Sequence, residues 1–77
     1  MVEKTDWESR AANLLKAELK RRGVTYAGLV ERLAEIGVAE KEVNIRNKLS
    51  RGKFTAAFML QCLAAIGTPT LHVSMDQ

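Results

Sequence analysis

Four stretches of helical periodicity, each followed by a glycine, organise the chain and leave room for little except a small helical domain. The first runs from about Asp6 to Arg22. Trp7, Ala11, Leu14, Leu15 and Leu19 form one apolar stripe, with Trp7 expected as a core anchor. Asp6 and Glu8 stand near its start and Lys20, Arg21 and Arg22 at its end, an order that suits the helix dipole, and Gly23 is placed to close it. The second runs from about Thr25, a good N-cap, to Ile36, with Tyr26, Leu29, Val30, Leu33 and Ile36 on one face and Gly37 beyond. The third, about Glu40 to Ser50, is the least apolar. Ile45 and Leu49 anchor it, Val43 is expected as a third contact, and Glu40 and Glu42 fall in its first turn.

The fourth runs from about Thr55, its N-cap, to Ile66, with Phe54 placed to staple onto Met59. Only Gln61 is polar between Ala56 and Ile66, so this helix must be central or must bury a second face against another chain. Gly67 and Pro69 end it. Thr70 to Met75 then alternates with period two, Leu71, Val73 and Met75 on one side, as expected of an extended arm lying on the core or pairing with another copy. The expectation is one all-α domain over residues 1–77, with a core at 6–67 and a C-terminal arm at 68–77.

A chain of 77 residues buries roughly 60% of its unfolded surface, so helix packing, a partner subunit, or both must stabilise it. One Cys excludes an internal disulfide, and one Cys with one His argues against a structural zinc site. The longest mostly apolar run, Phe54 to Ile66, is too short to span a bilayer, and the N-terminus lacks the order of a signal peptide. The chain therefore reads as soluble and cytoplasmic. No phosphate-cradling glycine loop, nucleophile elbow or metal-ligand cluster is present, so an enzyme is not expected, nor a cofactor, a metal or a small-molecule substrate. Cys62 reads as a small core residue, and His72 has no partner close in sequence.

Charge is unevenly placed. Residues 1–42 hold eight basic and eight acidic side chains; residues 43–77 hold Arg46, Lys48, Arg51 and Lys53 against Asp76 alone. Four cations within eight positions make a local positive field that attracts polyanions, the plain alternative being a solvated basic surface.

Two short amphipathic helices, a glycine-containing turn and a polar, basic third helix are the parts of a helix-turn-helix. The sequence resembles the lambda-repressor-like, XRE-type family of bacterial DNA-binding domains. The likeness begins at Leu15-Lys16 and runs through Lys20-Arg21-Arg22-Gly23-Val24. It continues in Thr25-Tyr26-Ala27-Gly28-Leu29-Val30-Glu31-Arg32-Leu33, in Gly37-Val38, in Leu49-Ser50-Arg51-Gly52-Lys53, and in Leu60 to Gly67. Tyr26 stands where the family has Gln, the span from Thr25 to Gly52 is several residues longer than usual, and the usual Ser cap of the third helix is missing. The run from Asn44 to Phe54 is also similar to small bacterial proteins of uncharacterised function, a likeness that supplies no activity.

The first resemblance implies a four-helix lambda-repressor-like helix-turn-helix fold and sequence-selective binding of double-stranded DNA in transcriptional control. The segment from Asn44 to Lys53 then carries the site. Asn44, Asn47 and Lys48 are the expected base readers, since Asn pairs with adenine in bidentate geometry. Arg46, Arg51 and Lys53 are expected at phosphates, with Arg46 also suited to a base and Arg51 also suited to capping its own helix. Thr25 and Tyr26 open the preceding helix, where a phosphate would meet free N–H groups; Thr25 as a cap alone and Tyr26 as core are the alternatives. A homodimer through the fourth helix, residues 70–75, or both is expected, placing two reading helices roughly 34 Å apart. An interaction module on the same scaffold and RNA binding are the rival readings, the sparse aromatics standing against RNA.

Overall fold

The computed structural model describes residues 4–68, which form four helices and, among these residues, no strand. They are α1 (Lys4–Arg21), α2 (Tyr26–Glu35), α3 (Glu42–Arg51) and α4 (Ala56–Ala65). The all-α class follows from the sequence periodicity. The alternating segment 70–75 lies outside the described residues.

Each helix forms where local chemistry favours it. Thr25 caps α2 by accepting from the Gly28 N–H at 3.0 Å, and Thr55 caps α4 by accepting from the Phe58 N–H at the same distance. The ends of α1, α2 and α4 share one device. The N–H groups of Val24, Val38 and Thr68 reach back to the carbonyls of Leu19, Leu33 and Leu63 at 2.9, 2.9 and 3.0 Å, each across a positive-φ glycine. The end of α3 is tighter. The Gly52 N–H donates to the Lys48 carbonyl at 2.8 Å, φ is +70°, and a Cβ at this position would lie 2.3 Å from the Glu8 carbonyl oxygen. Gly52 is thus required twice, for its left-handed backbone and for the close approach of α1.

Consecutive helices do not pair as hairpins at α1–α2 or α3–α4. Instead α1 packs on α3 and α4, while α2 packs on α3 and α4. The centre of this cross-packing is Leu15, Leu19, Leu29, Leu33, Ile45, Leu49, Phe58, Cys62, Leu63 and Ile66, with no polar side chain buried among the described residues. Burial of six of these below 2% exposure supplies the main drive for folding.

Three apolar residues expected in the core are not there. Trp7 is 47% exposed, with the Arg10 guanidinium over its ring at 5.0 Å. The buried face of α1, made by Ala12, Leu15 and Leu19, lies well round the helix from Trp7. Ile36 is the C-cap of α2 rather than its last helical residue, and it faces solvent. Val43 is also exposed, because it lies well round the helix from Ile45 and Leu49. Phe54, expected to staple onto Met59, has its ring against Phe58, the centroids 5.6 Å apart.

Candidate functional site

Burial fixes the orientation of α3. Ile45 and Leu49 are fully buried and Gly52 is enclosed. A helix advances 100° per residue, so the opposite side carries Val43, Asn47, Ser50 and Arg51, all exposed. This outward ridge holds no carboxylate. Asn47 and Arg51 were legible as candidates; Val43 and Ser50 were not. Counting round the wheel from the Ile45–Leu49 pair would have found both.

The two flanks differ. On the α2 side, the Arg46 guanidinium lies over the Tyr26 ring at 5.9 Å, within the range of a cation–π contact, and donates to Glu42 Oε2 at 2.9 Å. Tyr26 is half-buried at the first turn of α2, beside the Thr25 cap. The fold thus joins Thr25, Tyr26 and Arg46 at one corner.

On the other flank, Glu40 gathers Asn44 and Lys48. Its Oε1 accepts from Asn44 Nδ2 at 3.3 Å and its Oε2 from Lys48 Nζ at 2.7 Å. The Lys48 ammonium also sits 4.3 Å from the Phe58 ring centroid, so it points toward α4. The hydrogen bond from Lys48 holds the Glu40 carboxyl below the usual range, outweighing the desolvation that opposes it, with help from Asn44 and the Lys41 N–H. Glu40 was expected in the first turn of α3. It precedes the helix instead: Lys41 occupies the N-cap without a side-chain cap, which agrees with the missing Ser.

The remaining cations close the interface at the C-terminal end of α3. Lys53 Nζ is 3.5 Å from Glu8 Oε2 on α1. Arg51 is exposed and has no ion pair or hydrogen bond among the described residues; the helix-capping alternative for its side chain is therefore not realised here. The acid-free appearance of this basic stretch does not survive folding. Arg46, Lys48 and Lys53 each meet a carboxylate from the first 42 residues: Glu42, Glu40 and Glu8. Residues 40–53 still hold five cations against two carboxylates.

At the end of α1, Arg21 and Arg22 both turn to Glu18, at 2.6 and 4.0 Å. This engages the basic cluster with its own helix. Cys62 is fully buried, and burial pushes its thiol up to about 12, which removes it as a nucleophile. No group of His, Cys, Asp and Glu suited to a metal occurs among the described residues.

A family model described as a domain of unknown function (DUF6471) matches residues 7–71, a span that contains all four helices apart from the first turn of α1. No curated protein and no solved structure matches the chain.

Proposed function

The chain belongs to the DUF6471 family, and we propose that it binds double-stranded DNA sequence-selectively through the outward face of α3, in bacterial transcriptional control. One observation carries this reading. The ridge of Val43, Asn47, Ser50 and Arg51 is exposed and free of carboxylates, and it is flanked by Arg46 resting on Tyr26 at the start of α2. A reading helix needs outward side chains that match base edges and cations beside them that meet phosphates. Asn47 suits adenine, Val43 a thymine methyl, and Arg51 a guanine or a phosphate. Arg46 and Lys53 serve phosphates. Thr25 and Tyr26 open α2, and the first N–H groups of that helix would serve a phosphate there.

The carboxylates beside Arg46 and Lys53 do not defeat this. The cations of both pairs are exposed, at 56% and 64%, and pairs with an exposed cation contribute about 0–1 kcal/mol, so phosphates displace the acids at small cost. Asn44 and Lys48 have another role in this reading: through Glu40 they hold the approach to α3 and aim the helix. The proposed setting is the bacterial cytoplasm; no helix among the described residues is long and apolar enough to cross a membrane.

A second reading, a protein–protein interaction module on the same scaffold, is favoured by the mixed charge that Glu40, Glu42 and Glu8 bring to the face. Fluorescence anisotropy with a labelled random duplex separates the two. Three phosphate contacts, from Arg46, Arg51 and Lys53, predict a salt slope of about −2.7 and a loss of about fortyfold in affinity between 50 and 200 mM salt. Absence of binding at 50 mM salt would leave the interaction module as the better account.

A further inference from the structure

Helix α4 carries no charged side chain between Ala56 and Ala65. Phe58, Cys62, Leu63 and, just past its end, Ile66 face the core. The opposite sector holds Ala56, Ala57, Leu60 and Ala64, all exposed, and Leu60 at 67% is the most exposed of the large apolar residues described. A single exposed leucine is ordinary, but an unbroken apolar strip on an uncharged helix marks a contact surface.

We infer that this strip is the contact between two copies of the chain. Its shape is self-complementary. Leu60 stands one turn from Ala56 and one turn from Ala64, so the strip is a single knob between two shallow hollows. Two such helices meeting about a two-fold axis midway between Leu60 and one of these alanines place each leucine against that alanine of the other copy, and the small residues let the helices approach closely. Charge points the same way. A charged partner finds no complementary group on α4, whereas two copies meet there without repulsion. A small helical domain also gains from added burial, because its own core is small.

The contact is modest. Ten helical residues span about 15 Å, well under a standard interface, so a weak, reversible association is expected. The strip lies on α4 and the proposed DNA ridge on α3, and the inference does not depend on DNA.

Sedimentation equilibrium from about 10 µM to 1 mM, without nucleic acid, tests it with the full chain and Leu60→Glu. The expected result is a reversible dimer that Leu60→Glu weakens at least tenfold. Because Leu60 is exposed in a single copy, the dilute variant should melt with the same profile as the parent. Monomer at every concentration overturns the inference. So does a dimer that Leu60→Glu leaves intact, which would place the contact elsewhere, residues 69–77 included. A monomeric parent whose dilute melt is lowered by Leu60→Glu also overturns it, since the strip would then be covered by its own chain.

Discussion

Gly52→Ala is the sharpest test of how α3 is aimed. The new Cβ carries two separate costs. The backbone at +70° is left-handed, which costs an alanine about 1–2 kcal/mol. The Cβ would also sit 2.3 Å from the Glu8 carbonyl oxygen and 2.7 Å from its carbon, where ordinary contact begins near 3.4 Å. Backbone atoms cannot rotate away as a side-chain tip can, so α1 and α3 must separate by about 1 Å. Overpacking of that kind costs about 1–3 kcal/mol. Together the substitution should destabilise by about 2–5 kcal/mol, a large share of what a small domain has.

Gly37→Ala supplies the internal standard. Its φ is +85°, but nothing lies within 4 Å of the added Cβ, so only the backbone cost of about 1–2 kcal/mol applies. Each kcal/mol shifts the melting temperature of a domain this size by about 4–8 °C. Paired urea and thermal melts followed by circular dichroism should therefore show Gly52→Ala melting at least about 5 °C below Gly37→Ala. Equal losses in the two variants would mean that α1 does not touch α3 at Gly52, and the α3 orientation derived from that contact would fall with it.

Two further outcomes are expected. Glu40 has a lowered pKa in the fold, so its contribution to stability is present above the ordinary carboxylate range and is lost as pH falls through its folded value. Glu40→Gln should be less stable near neutrality and show a shallower acid slope below about pH 4.5; parallel acid profiles for the two proteins would contradict the ion pair. Cys62 should react with a thiol reagent at neutral pH about a thousandfold more slowly in the native protein than in urea, because labelling must await opening. Labelling within tenfold of the unfolded rate would show that α4 is not seated on the core.

The fold was largely legible in the sequence, and the reasons are local. Thr25 and Thr55 each cap where the sequence places them, and Leu29, Leu33, Ile45 and Leu49 fall on buried faces at helical spacing. What was not legible depends on distant contacts. Trp7 fits the stripe of α1 by sequence spacing, but it lies well round the helix from Ala12, Leu15 and Leu19, the face that meets the other helices and that Glu8 continues. The pairing of Lys53 with Glu8 joins residues 45 positions apart, so the charge map of the chain overstated the free positive charge on α3. Glu40 reaches Lys48 from outside the helix, because α3 begins at Glu42, two residues later than the start expected from the Glu40–Ser50 span. At the candidate site, Asn47 and Arg51 were visible by type, whereas Val43 and Ser50 become candidates only when burial fixes the orientation of the helix.

The central claim is that the outward face of α3 meets DNA phosphates and bases. Its most direct measurement is the slope of log affinity against log salt for a random duplex, taken for the parent, Arg46→Ala and Arg51→Ala. The account predicts about −2.7 per bound chain for the parent and about −1.8 for each variant, one phosphate contact fewer. No binding at 50 mM salt, or a slope that neither substitution changes, would contradict it.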